Sequence, residues 1–312
     1  MVELNRPTVS VVIPAYNRAH IVGRAVRSVL NQTYQGFELI VVDDGSADDT
    51  GGAVKAFKDG RLRYLRHEKN RGAAAARNRG IGAARGRYVA FLDSDDEWLP
   101  EKLAKEVAVF QASGPAVGLV YCGKALLNEE SDRILKVRMP TSQGDVYEKL
   151  LAWDFIGSSS RVTVRKETLD AVGGFDEQFK TCHDWELWLR VARVSRVAFV
   201  PEVLVKRYLH SGQLSGSLNG IWRGRAMIVE KYRDEMQRPV LGKHLGNLAI
   251  LVFNYDPPRA RQMAAEALKL RPFQPTLVAA STASLLGMGA YRWLFSKLAR
   301  LRHGFYVGRA AL

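Results

Sequence analysis

Three carboxylates in the spacing D-x-D-D, Asp93, Asp95 and Asp96 with Ser94 between them, follow directly on the uncharged run Tyr88-Val89-Ala90-Phe91-Leu92. Carboxylates this close repel one another and resist ionising together unless a cation holds them. Their hard oxygens suit Mg²⁺ or Mn²⁺, ions that normally serve phosphate oxygens. The plainer alternative is an acidic surface turn that caps a helix starting near Pro100. A second acidic pair, Asp43-Asp44, ends the apolar run at residues 37–42, and Pro14-Ala15-Tyr16-Asn17 ends another at residues 8–13. Farther on, Asp184 opens a stretch in which Leu187, Val191 and Val194 recur at helical spacing. A carboxylate within hydrogen-bond reach of a hydroxyl can take its proton, at a gain of about 10²- to 10⁴-fold in rate. Asp184 can equally be a helix-start carboxylate stabilised by the macrodipole.

These residues need elements to position them. The apolar runs at residues 8–13, 37–42, 62–66 and 88–92 read as strands, and the segments between them read as helices. One of those helices follows Gly72 and carries Arg77 and Asn78. Alternation at this pace means βαβ units, right-handed crossovers and a parallel sheet. Such sheets place ligands at the C-terminal ends of their strands, where Asp43, Asp44, Asp93, Asp95 and Asp96 fall. Asp44 and Asp93 could accept from a base and from ribose hydroxyls, and Arg77 could pair a carbonyl or a phosphate. A dinucleotide fold would carry G-x-G-x-x-G after its first strand. Pro14-Ala15-Tyr16-Asn17-Arg18-Ala19 stands there instead, and no Walker phosphate loop occurs. Hydride transfer and ATP hydrolysis both fall away.

A chain of 312 residues, 47% hydrophobic and 25% charged, can bury one large core or two. Its two cysteines, Cys122 and Cys182, have neither metal-ligand spacing nor a partner pattern. The start of the chain reads as a strand rather than a secretory leader, so a cytoplasmic, reducing setting is expected. The net charge of +14 is uneven: residues 216–312 hold 15 of the 46 Lys and Arg but only 5 of the 32 Asp and Glu. A basic tail points to anionic membrane lipid or to solvated helix faces. Nucleic acid is not expected as a partner, because no recognition motif accompanies the charge.

Taken together, Pro14-x-Tyr16-Asn17, Asp43-Asp44-Gly45-Ser46, Asn70-Arg71-Gly72 with Ala76-Arg77-Asn78, and Asp93-Ser94-Asp95-Asp96 resemble family 2 glycosyltransferases of the GT-A fold. Gly173-Gly174-Phe175-Asp176, the run His183 to Arg190, and His210-Ser211-Gly212 extend the likeness to about residue 216. The resemblance implies an α/β fold: a nucleotide-binding, mostly parallel sheet flanked by helices over residues 1–216, with a helical appendage over residues 217–312. It implies an inverting enzyme that takes a nucleotide-sugar donor, with Mn²⁺ or Mg²⁺, and a glycan or lipid-linked acceptor. Pro14, Ala15, Tyr16 and Asn17 then wall the base, Asp44 meets the uracil edge, Arg77 lies on the base and phosphate side, and Asp93 with Ser94 meets the ribose. Asp95 is the main metal ligand, helped by Asp96 through water and by His210, and Asp184 is the base. Two departures stand out. His183 precedes Asp184 where many members have Glu, and Tyr208 stands two before His210 where Arg is frequent, with Arg207 displaced by one. Within this fold type a nucleotidyltransferase or a silent nucleotide-sugar scaffold are the competing readings.

The remaining segments are less informative. Trp98, Trp185 and Trp188 read as core aromatics with sugar stacking as the alternative, and His183 is a second candidate base. Gly173-Gly174 reads as a turn with positive φ. Residues 124–145 read as a polar, mobile excursion after a strand at 117–122. Helices are expected at 222–237, 242–255 and 259–270, broken by Asp256-Pro257-Pro258. The uncharged stretch 272–291 is interrupted by Gln274, Pro275 and glycines, which disfavours a spanning helix. Residues 291–309 mix Trp293, Phe295 and Leu298 with Lys297, Arg300 and Arg302, a composition suited to an interfacial helix on the inner face of a membrane. Its alternatives are packing on the preceding helices or a homodimer contact.

Overall fold

The protein is described here by a computed structural model that covers residues 6–209, 218–253, 255–275 and 278–279. His210 and the interfacial helix expected at 291–309 lie outside the described residues. The chain divides into two compact units, Met1–Gly216 and Ser217–Leu312.

In the first unit, β1 (Val9–Ala15), α1 (Val22–Leu30), β2 (Phe37–Asp43), α2 (Thr50–Lys55), β3 (Leu62–Arg66), α3 (Ala73–Ala83) and β4 (Tyr88–Phe91) alternate as their apolar runs require. Every residue of β1, β2 and β4 is buried, the condition under which strands lose polar alternation. These strands lie in the order β3-β2-β1-β4 and are parallel throughout. α1 turns Val22, Ala25, Val26 and Val29 inward at helical spacing. α3 has small residues instead of a broad apolar face, and that lets it approach β1 closely. A Cβ on Gly80 would stand 2.3 Å from a Val12 methyl. The close approach carries Arg77 to the strand ends.

Beyond β4 the sheet becomes mixed. β5 (Asp96–Trp98), α4 (Lys102–Ser113), β6 (Val117–Asn128), β7 (Ile134–Arg138), α5 (Tyr147–Ala152), β8 (Val162–Arg165), α6 (Lys166–Val172), α7 (His183–Val194) and β9 (Arg196–Leu209) follow. The described sheet runs β3-β2-β1-β4-β8-β6-β9-β5, with β7 paired to β6. β8 is antiparallel to β4 and β6, β9 is parallel to β6, and β5 is antiparallel to β9.

Two expectations are corrected here. Residues 124–145 are not simply an excursion: β6 runs on to Asn128 because β9 pairs with it to its end, and residues 134–138 return as β7. Val194 does not share the buried face of Leu187 and Val191; it is 59% exposed at the last turn of α7.

One charged residue inside the apolar β2 needs an explanation. Glu38 is buried, yet it accepts from Ser10 Oγ at 2.7 Å, from Arg63 Nη1 at 2.7 Å and from the Arg85 backbone N–H at 2.8 Å. Burial pushes its carboxyl up, but these hydrogen bonds outweigh burial and hold it below the usual value of 4.5. A depressed carboxyl pKa stabilises the fold above the unfolded-state pKa, and that contribution is lost as pH falls through the folded-state value. Glu38→Gln is therefore expected to cost about 1–3 kcal/mol at pH 7, with the deficit shrinking toward pH 3. Urea denaturation at the two pH values measures it, and an equal deficit at both would refute the assignment.

The second unit contains α8 (Leu218–Tyr232), α9 (Arg238–Val252) and α10 (Pro257–Leu270). Asp256 caps α10 by accepting from the Arg259 N–H at 3.1 Å, and the two prolines fill the first turn, where an N–H would have no helical partner. The Asp-Pro-Pro break is thus also a helix start. Among the described residues no helix is long and apolar enough to cross a membrane.

Candidate active site

The first two strand ends build one wall. β2 delivers Asp43 and Asp44 into different surroundings. Asp43 is fully buried, accepting from the Ser46 N–H at 2.8 Å and from Tyr64 Oη at 2.5 Å. Asp44, 2% exposed, accepts from the backbone N–H of Arg71 at 3.0 Å and of Gly72 at 2.7 Å, and His67 Nδ1 lies 2.6 Å away. Its carboxylate therefore fixes the turn that opens α3, and Gly72 sits there at φ +97°. Asn17, at φ +52°, accepts from the Ala47 N–H at 2.8 Å, and its own N–H donates to Ser46 Oγ at 2.9 Å. The loops after β1 and β2 thereby hold each other. Pro14 and Ala15 belong to β1, and Tyr16 beside them is 43% exposed.

Past β4 the chain turns through Asp93 and Ser94 and re-enters the sheet as β5. Asp93 accepts from Arg77 Nη2 at 2.5 Å, and its backbone N–H donates to Ser160 Oγ at 3.1 Å. Ser94 is buried. Arg24 donates to the Asp95 carbonyl at 2.9 Å and stacks on the Tyr208 ring at 3.7 Å, which steadies the turn from behind. Asp96 is 1% exposed; its Oδ2 accepts from Ser160 Oγ at 2.6 Å, while its Oδ1 is buried and accepts no hydrogen bond.

α7 brings the remaining carboxylate. Arg77, 4% exposed, reaches from α3 and donates from Nη1 to His183 Nε2 at 3.0 Å while Nη2 holds Asp93. Its Nε is buried and donates to nothing. Burial, aided by the Arg77 charge, holds His183 below its usual 6.5, so the ring is neutral at pH 7 and Nε2 acts as acceptor. That occupies the nitrogen a base would use, which argues against His183 as the proton acceptor. Asp184 Oδ1 lies 3.5 Å from the same Nε2, is buried, and accepts no hydrogen bond. One guanidinium thus joins the end of β4 to the start of α7. Arg77 is itself raised above its usual value: burial opposes this, but the charges of Asp93, Asp184 and Asp95 prevail.

Electrostatics separates the carboxylates of the cluster. Burial would raise Asp93, yet the charges of Arg77 and Arg207 pull it below the usual range. Asp96, with no direct ion pair, is pushed up to about 8 by burial and then by Asp93 and Asp95. Arg207 acts here because it is paired in register with Asp96, while Tyr208 points its hydroxyl to Glu97 at 2.8 Å. The displaced arginine is the one that faces the acids.

A divalent cation fits this chemistry. It would meet the orphaned Asp96 oxygen and relieve the repulsion that raises its pKa. Among the described residues no three His, Cys, Asp or Glu side chains are arranged to hold a metal ion. Mg²⁺ requires only one or two carboxylates when water and phosphate oxygens complete its shell.

Trp98, Trp185 and Trp188 are core residues, and each indole N–H is bound to a backbone carbonyl: Ser160, Leu150 and Gly157 respectively. Gly173 and Gly174 have φ +86° and +71°, as their turn demanded. Sequence reasoning missed Arg24, His67 and Ser160. No motif marks Ser160, and only strand pairing reveals which way Arg207 faces.

The family model described as "Glycosyl transferase family 2" matches residues 10–165. An uncharacterized glycosyltransferase of Rickettsia prowazekii is 31% identical over 256 residues, covering 79% of this chain and 80% of the relative. The UDP-Glc:alpha-D-GlcNAc-diphosphoundecaprenol beta-1,3-glucosyltransferase WfgD of Escherichia coli is 34% identical over 192 residues, 62% of this chain and 72% of WfgD. Among solved structures, S. aureus TarS 1-349 in complex with UDP-GlcNAc superposes with a TM-score of 0.66 at 18% identity, covering 95% of this chain and 92% of that one. The mannosyltransferase PcManGT from Pyrobaculum calidifontis, in complex with GDP-Man and Mn²⁺, gives 0.60 at 22% identity over 96% and 88%.

Proposed function

The chain belongs to glycosyl transferase family 2, and on that footing we propose that it moves a sugar from a UDP-sugar to a hydroxyl of a lipid-linked glycan acceptor, with inversion. The observation that supports the reading is the buried Arg77 guanidinium, which binds Asp93 and His183 and feels the charge of Asp184, the two acids we assign to the donor and the acceptor. The WfgD relative, by name a UDP-Glc-dependent enzyme with a diphosphoundecaprenol acceptor, favours uridine and a membrane-borne acceptor. We assign the reaction to the cytoplasmic face of a membrane for the same reason.

In this mechanism Asp184 accepts the proton of the acceptor hydroxyl as its oxygen attacks the anomeric carbon, and the bond to the diphosphate breaks on the opposite face. Asp184 Oδ1 suits that role because it is buried and accepts no hydrogen bond from the protein. Arg77 keeps His183 in place and offers its unused Nε to a carbonyl or a phosphate oxygen. Pro14 to Asn17 and the Asp44 turn wall the base, and Asp93 with Ser94 meets the ribose. Asp95, with Asp96 behind it and His210 as a further ligand, would hold a Mn²⁺ or Mg²⁺ ion, whose charge would stabilise the leaving diphosphate.

The direct test is thermal unfolding with nucleotides, since a ligand that binds the folded state stabilises it by about 2.7 kcal/mol at a hundred times its Kd. UDP with Mn²⁺ is expected to raise the melting temperature more than UDP or Mn²⁺ alone and more than GDP with Mn²⁺. A larger rise with GDP would move the donor to a guanosine sugar. No rise with any nucleoside diphosphate would reject the donor reading and favour a different ligand class.

A further inference from the structure

The turn that closes β2 is wrapped by the loop leading from β3 to α3. The His67 N–H donates to the Asp43 carbonyl at 2.8 Å, which extends the β2–β3 pairing past Arg66. Gly45, at φ +75°, lies close against that loop: a Cβ on it would stand 2.7 Å from the Lys69 carbonyl carbon and 2.9 Å from the Asn70 nitrogen. Toward β1, the Asp44 N–H donates to the Ala15 carbonyl at 2.8 Å, next to Tyr16. Asp44 is thus fixed between the Pro14–Asn17 wall and residues 67–72.

The Arg71 and Gly72 N–H groups that bind Asp44 belong to the backbone of the turn. His67 reaches the same carboxylate through its ring. Its Nδ1 lies 2.6 Å from Asp44 Oδ1, and the two side chains are 5% and 3% exposed. An ionised carboxylate only accepts, so Nδ1 carries a proton and donates it to this hydrogen bond.

Two carboxylate oxygens offer about four lone-pair sites. Three protein donors engage Asp44: His67 Nδ1 and the Arg71 N–H on Oδ1, and the Gly72 N–H on Oδ2 at 2.7 Å, with the Arg71 N–H also 3.2 Å from Oδ2. One acceptor site is left, on Oδ2, and a ligand group that meets it must donate. Uracil brings an N–H at N3, whereas N3 of cytosine is itself an acceptor. Two acceptors facing each other in a nearly dry place lose their hydrogen bonds to water and gain none.

We propose that His67 is a positioning residue for base selection: its Nδ1–H holds the Asp44 carboxylate so that the remaining Oδ2 site takes the N3–H of uracil and rejects cytosine. The inference rests on the transferase reading and deepens it, naming the side chain that makes the donor site selective for its base. Calorimetric titration of the full chain with UDP and with CDP, each with saturating Mn²⁺, tests it. The unaltered protein is expected to bind UDP about tenfold more tightly than CDP, or better, the scale of one hydrogen bond to a charged group. His67→Gln carries its amide one carbon farther out and cannot place an N–H where Nδ1–H stands. It should weaken UDP about tenfold and leave CDP nearly unchanged, so that the preference disappears. His67→Leu, which removes the donor outright, should do the same, and either variant suffices if the other misfolds. His67→Asn sets an amide N–H at the place of Nδ1–H and should keep most of the preference for UDP.

Equal affinity of the unaltered protein for UDP and CDP would overturn the role of His67, and so would an equal loss of both nucleotides in His67→Gln or His67→Leu. Loss of the preference in His67→Asn would do so too. Each of these results leaves the donor reading standing. If neither nucleotide binds the unaltered protein, the donor reading falls and the inference falls with it.

Discussion

Asp184→Asn is expected to bind UDP with Mn²⁺ as the unaltered protein does and to lose about 10²- to 10⁴-fold in transfer rate. The amide keeps the shape of the carboxylate at the start of α7 but has no basic oxygen to take the acceptor proton. Donor affinity should hold because Asp184 contributes through charge at Arg77, whereas the direct bonds of Arg77 go to Asp93 and His183. The two candidate bases are told apart by His183→Ala, which removes an acceptor for Arg77 and leaves the Asp184 carboxylate in place. That variant should lose less transfer than Asp184→Asn. Release of UDP in the presence of a lipid-diphosphate-linked sugar is the readout. Near-unaltered turnover in Asp184→Asn would move the base elsewhere, and turnover lost together with UDP affinity would make Asp184 a structural residue.

Lys102→Met should destabilise the fold by about 3–5 kcal/mol, the usual result of removing one member of a buried ion pair. Lys102 and Glu106 are both fully buried, with Nζ and Oε2 at 2.7 Å, and Thr163 Oγ1 donates to the same oxygen at 2.6 Å. The ammonium also lies 4.1 Å from the Trp98 ring, whose indole N–H holds the Ser160 carbonyl at 2.8 Å. Ser160 in turn binds Asp96 and the Asp93 backbone, so this pair lies directly beneath the acidic cluster. Burial raises the Glu106 carboxyl even with Lys102 beside it. An acid raised in the fold takes up protons there that the unfolded chain does not, so stability from it falls as pH rises through that window. The Lys102→Met deficit should therefore be largest at alkaline pH and shrink toward acid, and Lys102→Met with Glu106→Leu should recover most of it. Denaturant titration across pH measures both. A deficit below about 1 kcal/mol at every pH would contradict a buried ion pair.

Much of the nucleotide-binding half can be read from the chain alone, for a physical reason. Strands buried on both faces must be largely apolar, and β1, β2 and β4 are so, apart from Ser10 and Glu38, which hydrogen-bond each other, and the acid that closes β2. Gly173-Gly174 and the α7 start are local as well, since backbone conformation and helical spacing depend on neighbours in sequence. The half beyond β4 is different. Asp96–Trp98 has too few residues to declare itself a strand, and its pairing partner β9 lies far along the chain: Tyr208 and Glu97, which bond across it, are 111 residues apart. β7 is equally hidden because none of its residues is buried and most are exposed.

Sequence was sufficient to show that acids collect at the ends of strands and at one helix start, because local apolar pattern dictates where strands stop. Tertiary structure alone decided which of those acids are hydrogen-bonded through both oxygens within the fold and which keep an unused oxygen. Asp43 and Asp44 are engaged by Tyr64, His67 and the turn before α3, whereas Asp96 and Asp184 each keep a buried oxygen without a hydrogen bond. The donors that make this distinction come from other strands and helices, and their positions follow from packing across the sheet.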